Sequence, residues 1–167
     1  PAVASISDTP TLIDATAGLG EDAFLLAAYG FSVTMYEYNT TIAGVLADSL
    51  KRAASDPQLR EIVGRMQLHQ EDSMTALPNI KNRVDVIYLD PMFPKRKKSG
   101  LIKKKFQLLH ELELPCPDEE GLLEAARQAN PKKIVIKRPI HADYLAGQKP
   151  GYSIKGKTIR FDCIVLS

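Results

Sequence analysis

Short apolar runs alternate with amphipathic stretches along the chain, and polar or glycine-containing turns separate them. Thr11-Leu12-Ile13-Asp14 has the make-up of a buried strand and ends in a glycine-containing turn. The stretch from Asp22 to Tyr29 is a helix, with Gly30 standing where a helix stops. The β-branched and aromatic run Ser32-Val33-Thr34-Met35-Tyr36-Glu37 forms a second strand. Thr40 or Thr41 can cap a helix running to about Ala54, with Ile42, Val45, Leu46 and Leu50 on one stripe. Pro57 suits the first turn of a further short helix, and a brief strand follows around Met66 to His69. The fourth strand, Val84 to Leu89, stops at Asp90-Pro91. A basic loop and helices extend to about Ala129, with Asp118, Glu119 and Glu120 opening a helix, where acidic residues are favoured. Lys133 to Lys137 is a fifth strand halted by Pro139, and Tyr152 to Leu166 reads as a hairpin turning at Lys155-Gly156-Lys157.

Strands alternating with helices imply an α/β fold built on a mostly parallel sheet. No repeat or low-complexity linker divides residues 1–167, so a single domain is expected. The chain opens on Pro1-Ala2-Val3-Ala4-Ser5, with neither an initiator Met nor a signal pattern, and material upstream is expected to be missing. A composition of 44% hydrophobic and 25% charged residues is that of an ordinary globular protein. No apolar run approaches the roughly 18–20 residues needed to span a bilayer, so no membrane partner is expected. Cys116 and Cys163 stand in different segments with no CxxC, and His69, His110 and His141 show no ligand spacing. These features argue against a disulfide scaffold or a metal site and for reduced thiols in a cytoplasmic protein. A net charge of +2 says little about partners.

Candidate chemistry gathers where strands end. In a doubly wound sheet, ligands bind beyond the carboxyl ends of the strands, beside the point where strand order reverses. Asp14 leads into Gly18 and Gly20, which allow a sharp turn and a close approach to a ligand that a Cβ would obstruct. Glu21 and Asp22 follow at a helix N-terminus, where a carboxylate can meet an ammonium. Glu37, at the end of the second strand, can accept hydrogen bonds from ribose hydroxyls. Asp72 and Ser73, after the third strand, are placed to bond an adenine edge, and Asp90, after the fourth, reaches the centre of the cleft.

Two other nucleotide sites compete with this reading. A dinucleotide fingerprint wants a small residue where Ala23 stands, so the turn alone leaves NAD open. Gly151 to Thr158 matches GxxxxGK[ST], but a P-loop must lead into a helix, whereas Ile159 to Leu166 alternates like a strand. That match reads as a hairpin turn.

Asp90-Pro91-Met92-Phe93-Pro94 narrows the chemistry. Methylating an exocyclic amine requires acceptors for its N–H groups, and a carboxylate followed by a rigid proline supplies them. Phe93 can stack on a base taken out of its helix. Lys95, Arg96, Lys97 and Lys98, then Lys103, Lys104 and Lys105, flank this segment, and Lys137 and Arg138 would open onto the same rim. Basic residues so placed suit phosphate contacts with RNA.

With these motifs the chain resembles the ribosomal RNA small subunit methyltransferase J family. The resemblance rests on Asp14-Ala-Thr-Ala-Gly-Leu-Gly20 with Glu21-Asp22-Ala23-Phe24, and on Tyr88-Leu-Asp-Pro-Met-Phe-Pro94. It continues through Lys98 with Lys103-Lys104-Lys105, Gly121-Leu-Leu-Glu124, Val135-Ile-Lys-Arg-Pro139 and Arg160-Phe-Asp162. It implies a Rossmann-like class I methyltransferase fold, a mostly parallel seven-stranded sheet with a C-terminal antiparallel hairpin and helices on both faces. It also implies N2-methylation of a guanosine near the 3′ end of 16S rRNA, free or in the small ribosomal subunit. S-adenosyl-L-methionine would be the donor and S-adenosyl-L-homocysteine the product. The cofactor contacts it implies are Glu21, Asp22, Glu37, Tyr38, Asp72, Ser73 and Asp90. This chain departs from the family at Glu21, where Arg is usual, at Tyr38, where Arg or another polar residue is usual, and in lacking a small N-terminal region. The alternatives are a methyltransferase for another amine, on protein or other RNA, and a non-catalytic RNA-binding protein that keeps the cofactor fold.

Overall fold

The computed structural model describes residues 9–91 and 116–166. Phe93, Lys95, Arg96, Lys97, Lys98, Lys103, Lys104 and Lys105 lie outside the described residues. In chain order the first elements are β1 (Thr11–Asp14), α1 (Glu21–Ala28), β2 (Ser32–Tyr36), α2 (Thr40–Ala54), α3 (Arg60–Val63) and β3 (Met66–His69). They are followed by α4 (Ser73–Ala76), β4 (Val86–Leu89), α5 (Glu119–Gln128), β5 (Lys133–Pro139), β6 (Tyr152–Lys155) and β7 (Ile159–Val165). Two single 3-10 turns, Leu77–Asn79 and Leu145–Gly147, complete the described elements.

The strands form one seven-stranded sheet in the order β3-β2-β1-β4-β5-β7-β6. Pairing is parallel from β3 across to β5, and β7 runs antiparallel to both β5 and β6. The segment Gly151 to Thr158 therefore lies within and after the first strand of this hairpin, where Gly156 N–H bonds the Ile159 carbonyl at 2.8 Å. Strand β7, not a helix, follows it, so the P-loop match is without its structural context.

Alternation along the strands sends neighbours to opposite faces, and both faces are covered. Leu12, Val33, Met35 and Tyr88 pack with Ala23 and Ala27 of α1 and Leu46 of α2. Ile13, Ile87, Leu89, Ile134 and Ile136 pack on the other face with Ala76 of α4 and Leu122, Leu123 and Ala126 of α5. The order reverses between β1 and β4, whose register pairs Asp14 with Tyr88. The cleft that the topology provides thus opens beyond Asp14 and Leu89.

Several local details differ from the sequence expectation. Asn39, not Thr40 or Thr41, caps α2: its side chain accepts the N–H groups of Thr41 and Ile42 at 3.0 and 3.2 Å. Asn is at least as good a cap as Thr, and here it starts the helix one or two residues earlier. The buried stripe of α2 is Ile42, Ala43 and Leu46, while Val45 is exposed. Pro57 lies in a turn before α3 rather than at its first position, because Asp56 closes that turn: its carboxylate accepts the Gln58 N–H at 2.8 Å. The fourth strand begins at Val86, two residues later than its apolar pattern suggests. Gly30 ends α1 as expected, at φ 103°, with Phe31 N–H returning to the Leu26 carbonyl.

Candidate active site

The turn after β1 is built around Asp14. Its carboxylate accepts the Thr16 N–H at 3.1 Å, and the side chain is buried. Burial, with the negative charges of Asp22 and Asp90 adding to it, pushes the Asp14 carboxyl up to about 7, although the Thr16 N–H pulls the other way. Gly18 and Gly20 take left-handed φ values of 52° and 77°. At Gly20 a Cβ would also stand 2.8 Å from Leu46 Cδ1, so both space and backbone select glycine there.

Glu37 closes over this turn from the end of β2. It is buried, its Oε2 accepts the Gly18 N–H at 3.0 Å, and its Oε1 accepts the Asn39 N–H at 2.8 Å. Each carboxylate oxygen has a second lone pair, so the group can still receive hydroxyl donors from the cleft. Tyr38 beside it is mostly exposed, and the partial desolvation it does have, followed by the Glu37 charge, raises its pKa. Asp72 caps α4 by accepting the Met74 N–H at 2.9 Å, and Ser73 is buried in the first turn. Tyr36 and His69 stack at 5.2 Å between these two strand ends.

The polar centre lies at the mouth of β1, β4 and β5. Asp22 Oδ2 accepts the Tyr88 hydroxyl at 2.7 Å and the Lys137 ammonium at 2.6 Å. Lys137 also reaches Asp90 Oδ2 at 3.0 Å. Asp90 is anchored through its main chain, its N–H donating to the Thr16 hydroxyl at 2.7 Å. Pro91, which follows, is buried. Burial lowers the pKa of Lys137, but its hydrogen bonds to Asp22 and Asp90 outweigh that and leave it raised. The Tyr88 hydroxyl is likewise raised, by burial first and by Asp22 next.

The structure therefore brings together Asp14, Gly18, Gly20, Asp22, Glu37 and Asp90, with Asp72 and Ser73 at the next strand end. Three expected residues stand elsewhere than their expected roles would place them. Glu21 is exposed and lines an apolar crevice of about 410 Å³ between α1 and α2, with Phe24, Leu46 and Leu50. Lys137 turns into the carboxylate cluster instead of standing on an RNA-facing rim. Arg138 is also no rim residue: it is buried, and its guanidinium bonds Glu119 Oε1 at 3.1 Å and the Asp143 carbonyl at 2.9 Å. Strand alternation is the reason, since Arg138 shares the α5-facing side of β5 with Ile134 and Ile136, leaving Lys137 on the side of Tyr88 and α1. Sequence reasoning missed Thr16, Tyr88 and Asn39. The Asp14-x-Thr16 spacing is that of a side-chain turn and was a usable signal. Tyr88 sits in an otherwise aliphatic strand.

Both cysteines are free. Among the described residues no three His, Cys, Asp or Glu side chains gather as a metal site, and no helix is long and apolar enough to cross a membrane.

Comparison with known proteins matches this arrangement to one family. A family model described as "Putative SAM-dependent methyltransferase" matches residues 2–166. The ribosomal RNA small subunit methyltransferase J of Neisseria meningitidis serogroup C is 42% identical over 156 residues, 92% of this chain and 62% of that protein. The protein of the same name from Thioalkalivibrio sulfidiphilus is 46% identical over 162 residues, 95% of this chain and 63% of that protein. The chain thus spans somewhat under two thirds of the length of these curated relatives. A crystal structure of a SAM-dependent methyltransferase from Neisseria gonorrhoeae superposes with a TM-score of 0.76 at 37% identity, covering 95% of this chain and 66% of that one. The seven-stranded sheet with its antiparallel hairpin is accordingly the class I, Rossmann-like methyltransferase fold.

Proposed function

We propose, from the premise that this chain belongs to the SAM-dependent methyltransferase family, that it methylates the exocyclic N2 of a guanosine near the 3′ end of 16S rRNA. The observation that carries the reading is Asp90, held by its main chain to the Thr16 turn and facing Asp22 across Lys137. The curated relatives' names supply the RNA class.

The residues fit the donor. Glu37, its carboxylate already fixed by two main-chain N–H groups, suits a ribose diol. Asp22, in the first turn of α1, suits an ammonium, and Asp72 with Ser73 suits an adenine edge. The positive φ at Gly18 and Gly20 lets the main chain approach closely. When bound, S-adenosyl-L-methionine supplies an electrophilic methyl on its sulfonium and leaves as S-adenosyl-L-homocysteine. Asp90 and the Pro91 carbonyl accept the N–H groups of the amine, orienting its lone pair for in-line attack. As the N–C bond forms, the amine loses a proton, and the Asp90 carboxylate is the acceptor at hand. Phe93, outside the described residues, stacks on the base in this reading. Lys95, Arg96, Lys97, Lys98, Lys103, Lys104 and Lys105, also outside them, contact phosphates.

The test is incubation of the protein with labelled donor and under-methylated small subunits, followed by mapping of the modified base. Label at a guanosine N2 of 16S rRNA supports the reading. Label on protein or on another base overturns the substrate assignment, and donor binding by calorimetry with no transfer to any acceptor indicates a binding module. Asp90→Ala is expected to abolish transfer with the melting curve retained. Reversing the charges of Lys95 to Lys98 is expected to weaken RNA methylation with a smaller salt dependence.

A further inference from the structure

Lys137 lies within β5, two residues before its end. The register that pairs Leu89 with Ile136 sets Lys137 beside Asp90, and alternation aims it at the α1 side of the sheet. Its ammonium lies 2.6 Å from Asp22 Oδ2 and 3.0 Å from Asp90 Oδ2, with only 24% of its side chain exposed. Among the described residues the groups that meet this ammonium are Asp22 of α1 and Asp90 after β4, and behind them stand the Tyr88 hydroxyl, bonded to Asp22, and Asp14 at the end of β1, whose carboxyl feels both. Two carboxylates, Asp22 and Asp90, meet the ammonium, and a third, Asp14, interacts electrostatically with both of them. A long lysine side chain held between two of them loses conformational freedom and hydration, which an exposed phosphate-binding lysine does not.

We propose that Lys137 is a positioning residue for methyl transfer: its ammonium bridges the carboxylate assigned to the donor's ammonium and the carboxylate assigned to the target amine, holding Asp90 ionised and aimed. This rests on the roles given to Asp22 and Asp90 under the proposed function. An ionised Asp90 accepts N–H hydrogen bonds and can take the amine proton; a protonated one does neither as well. An adjacent cation keeps a carboxylate ionised to lower pH, and taking it away from a cluster of like charges lets a proton bind at higher pH. The same bridge ties occupancy near Asp22 to the position of Asp90, so donor and acceptor sites share one link.

The role differs from an RNA contact in what its loss does. A phosphate-binding lysine sets KM for RNA and the salt slope, whereas a bridge between carboxylates sets kcat and its acid limb. Lys137→Met, which keeps the apolar stem, is expected to lower kcat about 10- to 100-fold, as misplacement of a reacting group does. It is expected to raise the acid limb of the kcat–pH profile by about 1–3 units. KM for the subunit should stay within about 3-fold and its salt slope unchanged, where loss of a phosphate contact would weaken RNA binding and lower that slope. Lys137→Arg keeps the charge and is expected to keep the acid limb while lowering kcat through altered geometry.

A second measurement needs neither donor nor RNA. Carboxyl-carbon NMR titration of the chain is expected to show the Asp90 midpoint moving upward in Lys137→Met and staying in place in Lys137→Arg. An unmoved midpoint in the methionine variant overturns the proposal, as does a midpoint that moves equally in both. A loss confined to KM with a reduced salt slope overturns it too, in favour of an RNA contact. If the unaltered protein transfers no methyl group, the proposed function fails, while the titration still decides whether Lys137 sets the state of Asp90.

Discussion

The main-chain N–H of Asp90 donates to the hydroxyl of Thr16 across 2.7 Å, so the segment after β4 is tied to the turn after β1. The two residues come from the adjacent strands at which the sheet order reverses. Thr16→Val keeps the shape and removes the acceptor. It is expected to cost about 1–2 kcal/mol in denaturant unfolding and to lower kcat more than donor affinity, because Asp90 loses its anchor. Thr16→Ser, which restores a hydroxyl, is expected to recover both. Equal kcat in the valine and parent proteins contradicts the anchoring role.

Glu37 offers a sharper test of donor binding. Both its oxygens already accept main-chain N–H groups, from Gly18 and Asn39. In Glu37→Gln the amide NH2 must face one of those donors, and an acceptor for the ribose is lost. Calorimetry is expected to show donor affinity falling by about 10-fold or more, the equivalent of about 1.4 kcal/mol. An unchanged affinity removes Glu37 from the donor site.

Asp14 makes stability depend on pH with a definite sign. Its carboxyl titrates near 7 in the folded chain against an ordinary value of 3.8. Below the ordinary value both states are protonated and the fold bears no penalty. As pH rises to about 7 the unfolded chain ionises first, so this stability is progressively lost, and above 7 the loss is constant. Asp14→Asn removes the charge and keeps an oxygen for the Thr16 N–H. Chemical denaturation is expected to show the variant more stable than the parent at pH 8, by on the order of 2–4 kcal/mol, and close to it near pH 4. A difference that does not change with pH contradicts the raised titration.

Two glycines separate conformational need from ordinary tolerance. Gly20 has φ 77° and a would-be Cβ 2.8 Å from Leu46 Cδ1, whereas Gly44 lies inside α2 with nothing within 4 Å. Gly20→Ala is expected to destabilise by about 1–3 kcal/mol, from backbone strain and overpacking together. Gly44→Ala is expected to stabilise by about 0.5–1 kcal/mol. Thermal melts of the pair measure both; the same sign for the two contradicts the local geometry.

Period and punctuation in the chain determined the elements and the strand ends at which carboxylates gather. Apolar runs such as Leu12-Ile13 and Ile87 to Leu89 need burial on both faces, which only a covered parallel sheet provides, and glycines after Asp14 need a left-handed turn. For the same reason Asp14, Glu37, Asp72 and Asp90 were legible as a set, since each stands at the end of a strand or within three residues beyond it. What the tertiary structure alone decided is which way the side chains near strand ends face. A period of two says that Lys137 and Arg138 point to opposite sides, but not which side holds α1 with Asp22 and which holds α5 with Glu119. Packing of those helices sends Lys137 into the carboxylates and buries Arg138 against α5. Tyr88 and Thr16 enter the site the same way, through partners 66 and 74 residues distant in sequence. Local propensity carries no information about contacts of that range, and only closure of the sheet creates them.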